Sequence, residues 1–276
     1  MIVALYPAGG GLGNLLFQHN TIFALAKKYN SQIYIITDYH ESARLHIKEY
    51  SKLFNHVQFI TNDYLNNLSS DKRIYVYEEP SFIFNEINFE INDSHLYVIK
   101  GYFQSYKYFN DYLPDIKNIL LENENELYTK MKEKYLLISC NKNTICVHIR
   151  RGDYLNYHEY YSILDEKYYE NGLALFNESQ YKILIFAENV NEISNWNVWK
   201  KYDTHFVNDL PEALPTLFLM SLCNHFIVAN SSLSVNAYYL SNKPNSQKII
   251  APSKWFGNQG PYYNIYDIVP NNAIIL

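Results

Sequence analysis

The chain has 276 residues, 48% of them hydrophobic and 18% charged, with a formal net charge of −5. That size allows one large domain or two medium ones, and the apolar fraction suffices for a substantial core, so a disordered chain is excluded. No basic tract is present, which excludes a nucleic-acid binder that works by neutralising phosphates.

Residues 2–6 form a short apolar strand candidate that runs into Pro7-Ala8-Gly9-Gly10-Gly11-Leu12-Gly13-Asn14. A helical pattern follows over residues 15–29, and a second strand over 32–37 ends on Asp38. The chain thus opens β-loop-α-β, the start of a doubly wound sheet. Further strands are expected at 57–60, 74–77 and 96–99, the last leading into Gly101-Tyr102-Phe103-Gln104-Ser105. A charged helix pattern covers 123–134, and the polar stretch around 141–143 reads as a hinge. The second half alternates a strand at 145–149, a helix at 169–177, a strand at 182–186 and a helix at 214–222. It closes with a strand at 225–229, a helix at 234–240 and a final strand at 248–251. The expected fold is α/β, with an N-terminal lobe over 1–138, a C-terminal lobe over 139–276 and a cleft between them.

Cys140, Cys146 and Cys223 are odd in number and contain no C-x-x-C pair, which fits a reducing compartment and argues against a thiolate metal site. The chain starts with no basic stretch before an apolar run, and no run is long enough to span a bilayer. The expectation is a cytoplasmic protein with no signal peptide and no transmembrane segment. The 28 tyrosines accompany abundant Asn, Ile and Lys, a compositional bias that marks none of them as a site residue.

The densest chemistry lies in Val147-His148-Ile149-Arg150-Arg151-Gly152-Asp153-Tyr154. One or two arginines stand at the end of an apolar strand, directly before a Gly-Asp turn, where an open α/β sheet presents side chains to a ligand. A guanidinium there is always charged and grips phosphate oxygens bidentately. The alternative is a structural Arg–Asp pair closing the turn through Asp153. The glycine-rich turn lets backbone approach a ligand closely at a helix start. A dinucleotide-binding reading of it is supported by Asp38 but lacks the third glycine, because Asn14 stands there. The run Asn230-Ser231-Ser232-Leu233-Ser234 joins a strand to a helix, where serines cap the helix or hold a phosphate. His148 reads in isolation as a satisfied structural donor. No zinc-ligand spacing and no Walker loop occurs.

Taken together, these motifs resemble the α-1,2-fucosyltransferases, the family 11-like inverting glycosyltransferases that use GDP-fucose. The matching segments are Gly10-Gly11-Leu12-Gly13-Asn14 with Phe17-Gln18, then Gly101-Tyr102-Phe103-Gln104-Ser105, then the arginine segment. Leu219-Met220-Ser221, the run from Ile227 to Ser234 and the run from Ile250 to Phe256 follow in family order. The resemblance implies a GT-B-like pair of Rossmann-type lobes, a nucleotide-sugar donor bound mainly by the second lobe, a glycan or oligosaccharide acceptor, and no cofactor or metal. It assigns Arg150 to the donor diphosphate, assisted by Arg151 and His148, with Asn230, Ser231, Ser232 and Ser234 contacting phosphates or nucleoside. Gly11, Gly13, Asn14 and Gln18 would sit over the cleft near donor and acceptor. Asp153 first and Glu159 second are the candidate bases.

The chain departs from the family at several positions. Thr216 replaces a carboxylate that would read guanine, with Glu212 as a nearby substitute, and a Ser-Asp-Asp segment is Ala187-Glu188-Asn189. A Ser-Trp-Trp segment is Ser234-Val235-Asn236, and a Gln-Met pair is Leu15-Leu16. The reading is transfer of L-fucose from GDP-fucose in α-1,2 linkage to a galactose-type residue. The alternatives are a different nucleotide-sugar donor, a non-catalytic sugar-nucleotide-binding relative, and an NAD(P)-dependent oxidoreductase. Acceptor recognition is expected in residues 39–50 and 62–94. No nucleic-acid partner is expected, and transient contact with membrane-bound glycan carriers is compatible with the reading.

Overall fold

Nearly continuous apolar runs make the strands of this chain, the pattern expected of parallel strands buried on both faces. The computed structural model describes residues 2–38, 51, 53–122, 126–177, 180–241 and 247–276. Two compact units appear: Met1–Asn123 with Tyr262–Ile268, and Glu124–Pro261 with Val269–Leu276.

The first unit begins with β1 (Ile2–Pro7), α1 (Leu12–Tyr29), β2 (Ile33–Ile36) and β3 (Gln58–Ile60). It continues with α2 (Asn62–Leu68), β4 (Arg73–Glu78), β5 (His95–Gly101) and the short α3 (Leu113–Lys117). The five strands form one parallel sheet in the order β3-β2-β1-β5-β4. Ala4, Ile36, Ile60, Leu96 and Val98 on one of its faces pack with Leu65 of α2. Helix α1 starts three residues before its predicted first turn, because Leu12-Gly13-Asn14 is helical rather than part of the glycine turn. It ends on Asn30 in the left-handed conformation, a common helix terminus.

The second unit opens with α4 (Glu126–Ser139), β6 (Asn143–Ile149), α5 (Glu166–Leu173), β7 (Tyr181–Ala187) and β8 (Asp203–Val207). Then come α6 (Ala213–Ser221), β9 (His225–Ile227), α7 (Ser232–Leu240) and β10 (Ile249–Ala251). After a short α8 (Ile265–Ile268), which packs with the first unit, β11 (Ile274–Ile275) closes the second sheet. All strand pairs are parallel, in the order β11-β10-β9-β6-β7-β8. Counted from β6 as the first strand, this is the 3-2-1-4-5-6 order of the Rossmann fold, whose ligands sit beyond the carboxyl ends of the strands.

Alternation along β6 divides its side chains between two environments. Ile145, Val147 and Ile149 enter the core with Tyr169 and Leu173 of α5, while Cys146 and His148 point to the opposite face. The units divide at 123/124 where the sequence places a boundary at 138/139, and the difference concerns α4. Its Tyr128 packs edge-on against Phe218 of α6, and its Tyr135 hydroxyl donates to Asn224 Oδ1 at 3.1 Å, so α4 is built onto the second sheet. The strand at 248–251 is not the last, since β11 pairs beyond it.

The segment Tyr262–Ile268 is fastened by Asp267, which is 1% exposed and accepts from Phe84 N at 2.8 Å while pairing with the Lys107 ammonium. A buried carboxylate is tolerable only with such partners. No helix among the described residues is long and apolar enough to cross a membrane.

Candidate active site

Beyond the carboxyl ends of β6, β7 and β8, at the start of α6, lies a cavity of about 610 Å³. That volume is within the range of small-molecule sites. His148, Arg150, Glu188, Asn189, Glu212 and Thr216 are among its lining residues, together with Leu233 from the first turn of α7. The second unit therefore brings His148 and Arg150 together with both residues expected to read the base.

Arg150 is 28% exposed, and both terminal nitrogens of its guanidinium are paired. Nη2 lies 2.7 Å from Asp153 Oδ1, Nη1 donates to Glu188 Oε1, and the plane sits over the Tyr154 ring at 5.1 Å. The Arg–Asp pair read as the structural alternative is thus present, alongside the cavity position that the ligand reading requires. Gly152 makes room for Glu188: a Cβ there would strike the Glu188 carboxylate. Arg151 turns the other way, donating to Leu164 O at 3.2 Å, with Nε 3.7 Å from Glu192 and the guanidinium over Trp196.

His148 departs from the structural-donor reading. It is 6% exposed, and its Nδ1 is buried without a hydrogen-bond partner. Burial, reinforced by the Arg150 charge, pushes its pKa down to about 3, so the ring is neutral. This leaves one buried, unpaired ring nitrogen on a residue of the cavity wall, an exception among buried polar atoms.

The serine run does not cap its helix in the way the capping reading expects. Ser231 is the N-cap of α7 but makes no side-chain cap bond, and Ser234 is fully buried with its hydroxyl donating to Ser231 O at 3.2 Å. Asn230 donates to Ser162 O at 2.8 Å and Trp255 O at 2.7 Å, and its own carbonyl accepts from the Tyr154 hydroxyl at 3.2 Å. It ties the arginine segment, the serine run and the Trp255-Phe256 segment into one rigid loop cluster. Ser232 opens the first turn beside Leu233.

Thr216 faces the cavity, but its hydroxyl donates to Glu212 O at 2.7 Å and Leu210 O at 3.3 Å. Glu159 is exposed beside His158, 3.5 Å away, and does not line the cavity.

In the first unit, Gly9 and Gly10 both hold φ near +85°, a region that glycine alone enters freely, and a Cβ on Gly10 would strike Asn14. Gln18, fully buried, locks this turn: Oε1 accepts from Ala8 N at 2.8 Å and Nε2 donates to Asn14 O at 3.2 Å. Asn14 Oδ1 accepts from Gln104 Nε2 at 2.8 Å, which joins the glycine turn to the Gly101–Ser105 segment. Gly11 has open space where a side chain would be, and Gly13 is buried inside α1. Asp38, the acid that a dinucleotide reading assigns to a ribose, accepts from the Asn62 backbone at 2.9 and 3.1 Å. Of the residues expected to read the acceptor, 39–50 lie outside the described residues.

Two features of the first unit escape the sequence reading. Glu79 accepts from Tyr102 N at 2.8 Å and Phe103 N at 2.9 Å, and burial, opposed by those two bonds, pushes its carboxyl up to about 7. His19 and His56 share an Nε2–Nε2 contact of 2.8 Å. Neither carries a motif; a lone Glu after a strand and a His inside a helical pattern are unremarkable in sequence. Among the described residues no cluster of three or more His, Cys, Asp or Glu is placed to hold a metal ion.

Residues 7–259 match the model of glycosyl transferase family 11. The chain is 26% identical to an α-1,2-colitosyltransferase of Escherichia coli, over 99% of both chains. It is 24% identical to the O-antigen biosynthesis glycosyltransferase WbnK of Escherichia coli, over 90% of this chain and 93% of that one. Among solved structures, NodZ α-1,6-fucosyltransferase soaked with GDP-fucose aligns with a TM-score of 0.52 at 14% identity, covering 87% of this chain and 92% of that one. That likeness concerns the fold, two parallel α/β sheets of the GT-B-like kind. With the family model spanning most of its length, this chain belongs to glycosyl transferase family 11 and is a glycosyltransferase.

Proposed function

We propose that the protein transfers L-fucose from GDP-fucose, with inversion, in α-1,2 linkage to a galactose-type residue of a glycan. The observation that carries this reading is Arg150 at the carboxyl end of β6, beside the unpaired His148, on the wall of a nucleotide-sized cavity. The linkage is supported by the named activity of the α-1,2-colitosyltransferase, and the linkage and sugar together by that of a putative galactoside 2-α-L-fucosyltransferase of Caenorhabditis elegans, 25% identical over 67% of this chain and 51% of that one.

As the glycosidic bond of the donor breaks, GDP gains negative charge. The Arg150 guanidinium, held at the strand end, stabilises that charge on the diphosphate in the way a metal ion does elsewhere, so the transfer runs without a metal cofactor. His148 and Thr216 face the nucleoside, and the first turn of α7 with Ser232 completes the donor side. Arg151 braces the loop. An acceptor hydroxyl attacks the anomeric carbon while a carboxylate takes its proton. We assign that role to Asp153, which pairs with Arg150, ahead of Glu159, whose carboxylate lies beside His158. The free thiols fit a cytoplasmic enzyme acting on a glycan, a membrane-bound carrier included.

A second donor, a colitose nucleotide, is favoured by the match to the colitosyltransferase along the whole chain. Incubation of the protein and a panel of β-galactosides with GDP-fucose and, in parallel, with GDP-colitose, both in excess EDTA, tests both. The reading expects an α-1,2-fucosylated product. Transfer from GDP-colitose alone establishes the second donor, and transfer that requires added metal contradicts the role given to Arg150.

A further inference from the structure

Arg150 is the group that must meet the donor diphosphate, yet both of its terminal nitrogens already hold carboxylates. One arginine faces two acids, so the guanidinium is over-neutralised before any phosphate arrives. The two acids are not equivalent. Asp153 follows Arg150 in the same short turn and does not line the cavity. Glu188 arrives from the end of β7, lines the cavity together with Arg150 and His148, and is 43% exposed. It rests against Gly152, where any side chain would displace it. The ligand's oxygens and the Glu188 carboxylate therefore claim the same face of the same guanidinium.

We infer that Glu188 is a specificity-determining residue of the donor site, a built-in competitor that occupies the diphosphate position on Arg150 and that the donor must displace. The inference rests on the proposed donor reading and adds a residue to it. A diphosphate carries more than one negative charge and bridges a guanidinium bidentately, so it can win the exchange. Neutral or weakly charged groups cannot, and Arg150 stays paired with Glu188. After transfer, the return of Glu188 to Arg150 helps GDP depart.

The test is calorimetric titration of GDP, inorganic pyrophosphate and guanosine into wild type and Glu188→Gln. Glutamine keeps the shape and a hydrogen-bond acceptor while removing the competing charge. The expected result is GDP and pyrophosphate binding tightened about two- to fivefold, the scale of one charge in an exposed pair, with guanosine unchanged. Gly152→Ala, which retains the charge but takes away its seat, shifts GDP in the same direction, and Glu188→Asp stays near wild type or between the two. Weaker or unchanged GDP and pyrophosphate binding in Glu188→Gln overturns the inference and makes Glu188 a positioning residue that orients Arg150. If neither protein binds GDP while pyrophosphate still tightens, the nucleotide reading falls and the competition stands.

Discussion

Replacing Arg150 with alanine is expected to lower the transfer rate by about 10²–10³-fold and to weaken GDP binding, with the fold retained. The effect on rate follows from placement. Arg150 is the cationic side chain that ends β6 at the cavity wall, and its backbone is held by a strand paired on both sides. A charge fixed there needs no reorganisation when the leaving group develops its own. The effect on stability is small, because the lost partners are exposed carboxylates: Asp153 is 54% and Glu188 43% exposed. Exposed ion pairs contribute about 0–1 kcal/mol. Measuring kcat/KM beside a thermal melt separates the two. Arg150→Lys is expected to recover only part of the activity, since a point charge does not reproduce the planar fork. Normal kinetics in Arg150→Ala would remove the residue from the mechanism.

Acid is expected to unfold this protein well above the pH at which its carboxylates protonate. Burial and mutual repulsion hold His19 at about 3, burial alone holds His56 at about 4, and His148 lies at about 3, against an ordinary value of 6.5. The His19–His56 contact adds to burial at His19. His19 Nδ1 faces Asn20 Oδ1 at 3.0 Å, which accepts, so His19 Nε2 must itself accept from His56 Nε2, and His56 Nδ1 is left buried and unpaired. A second proton has no place in this pair. Groups whose folded pKa is depressed contribute stability above 6.5 that is lost as pH falls toward the folded values. Glu79 acts oppositely: its raised folded value near 7 contributes stability at low pH that is lost as pH rises from 4.5 through 7, offsetting one histidine. Each net group changes stability by about 1.4 kcal/mol per pH unit. The net expectation is a loss of roughly 2–4 kcal/mol in urea unfolding between pH 7 and pH 5. His56→Gln is expected to flatten that dependence. A pH-independent midpoint over this range would mean that these rings are not held neutral.

The parts of the fold that are plain in the sequence are those made by uniform physics. Strands β1, β2, β6 and β7 are apolar on both faces and stand out as runs. Strand β8 does not, because Asp-Thr-His-Phe-Val at a sheet edge is only half buried, and β11 is only two residues long. Arg150 is legible because a charge ending an apolar strand is conspicuous. Its competitor Glu188 is not, since it lies 38 residues away and the two meet only when β6 and β7 pair in register. Capping by the serines misleads in the opposite way. Their composition suggests side-chain caps, yet Ser234 turns its hydroxyl back to Ser231 O and Ser231 makes no cap bond. Asn230 looks like part of a binding loop and proves to be the bolt that fastens three loops together.

The cavity beyond β6–β8 is proposed as a metal-independent site for guanosine diphosphate. Calorimetric titration of GDP into metal-free protein, with ADP and UDP alongside, tests it most directly. Micromolar binding of GDP in EDTA, tighter than that of ADP or UDP and weakened by Arg150→Ala, is the predicted result. Absence of binding, or binding that appears only with added metal, would contradict the claim.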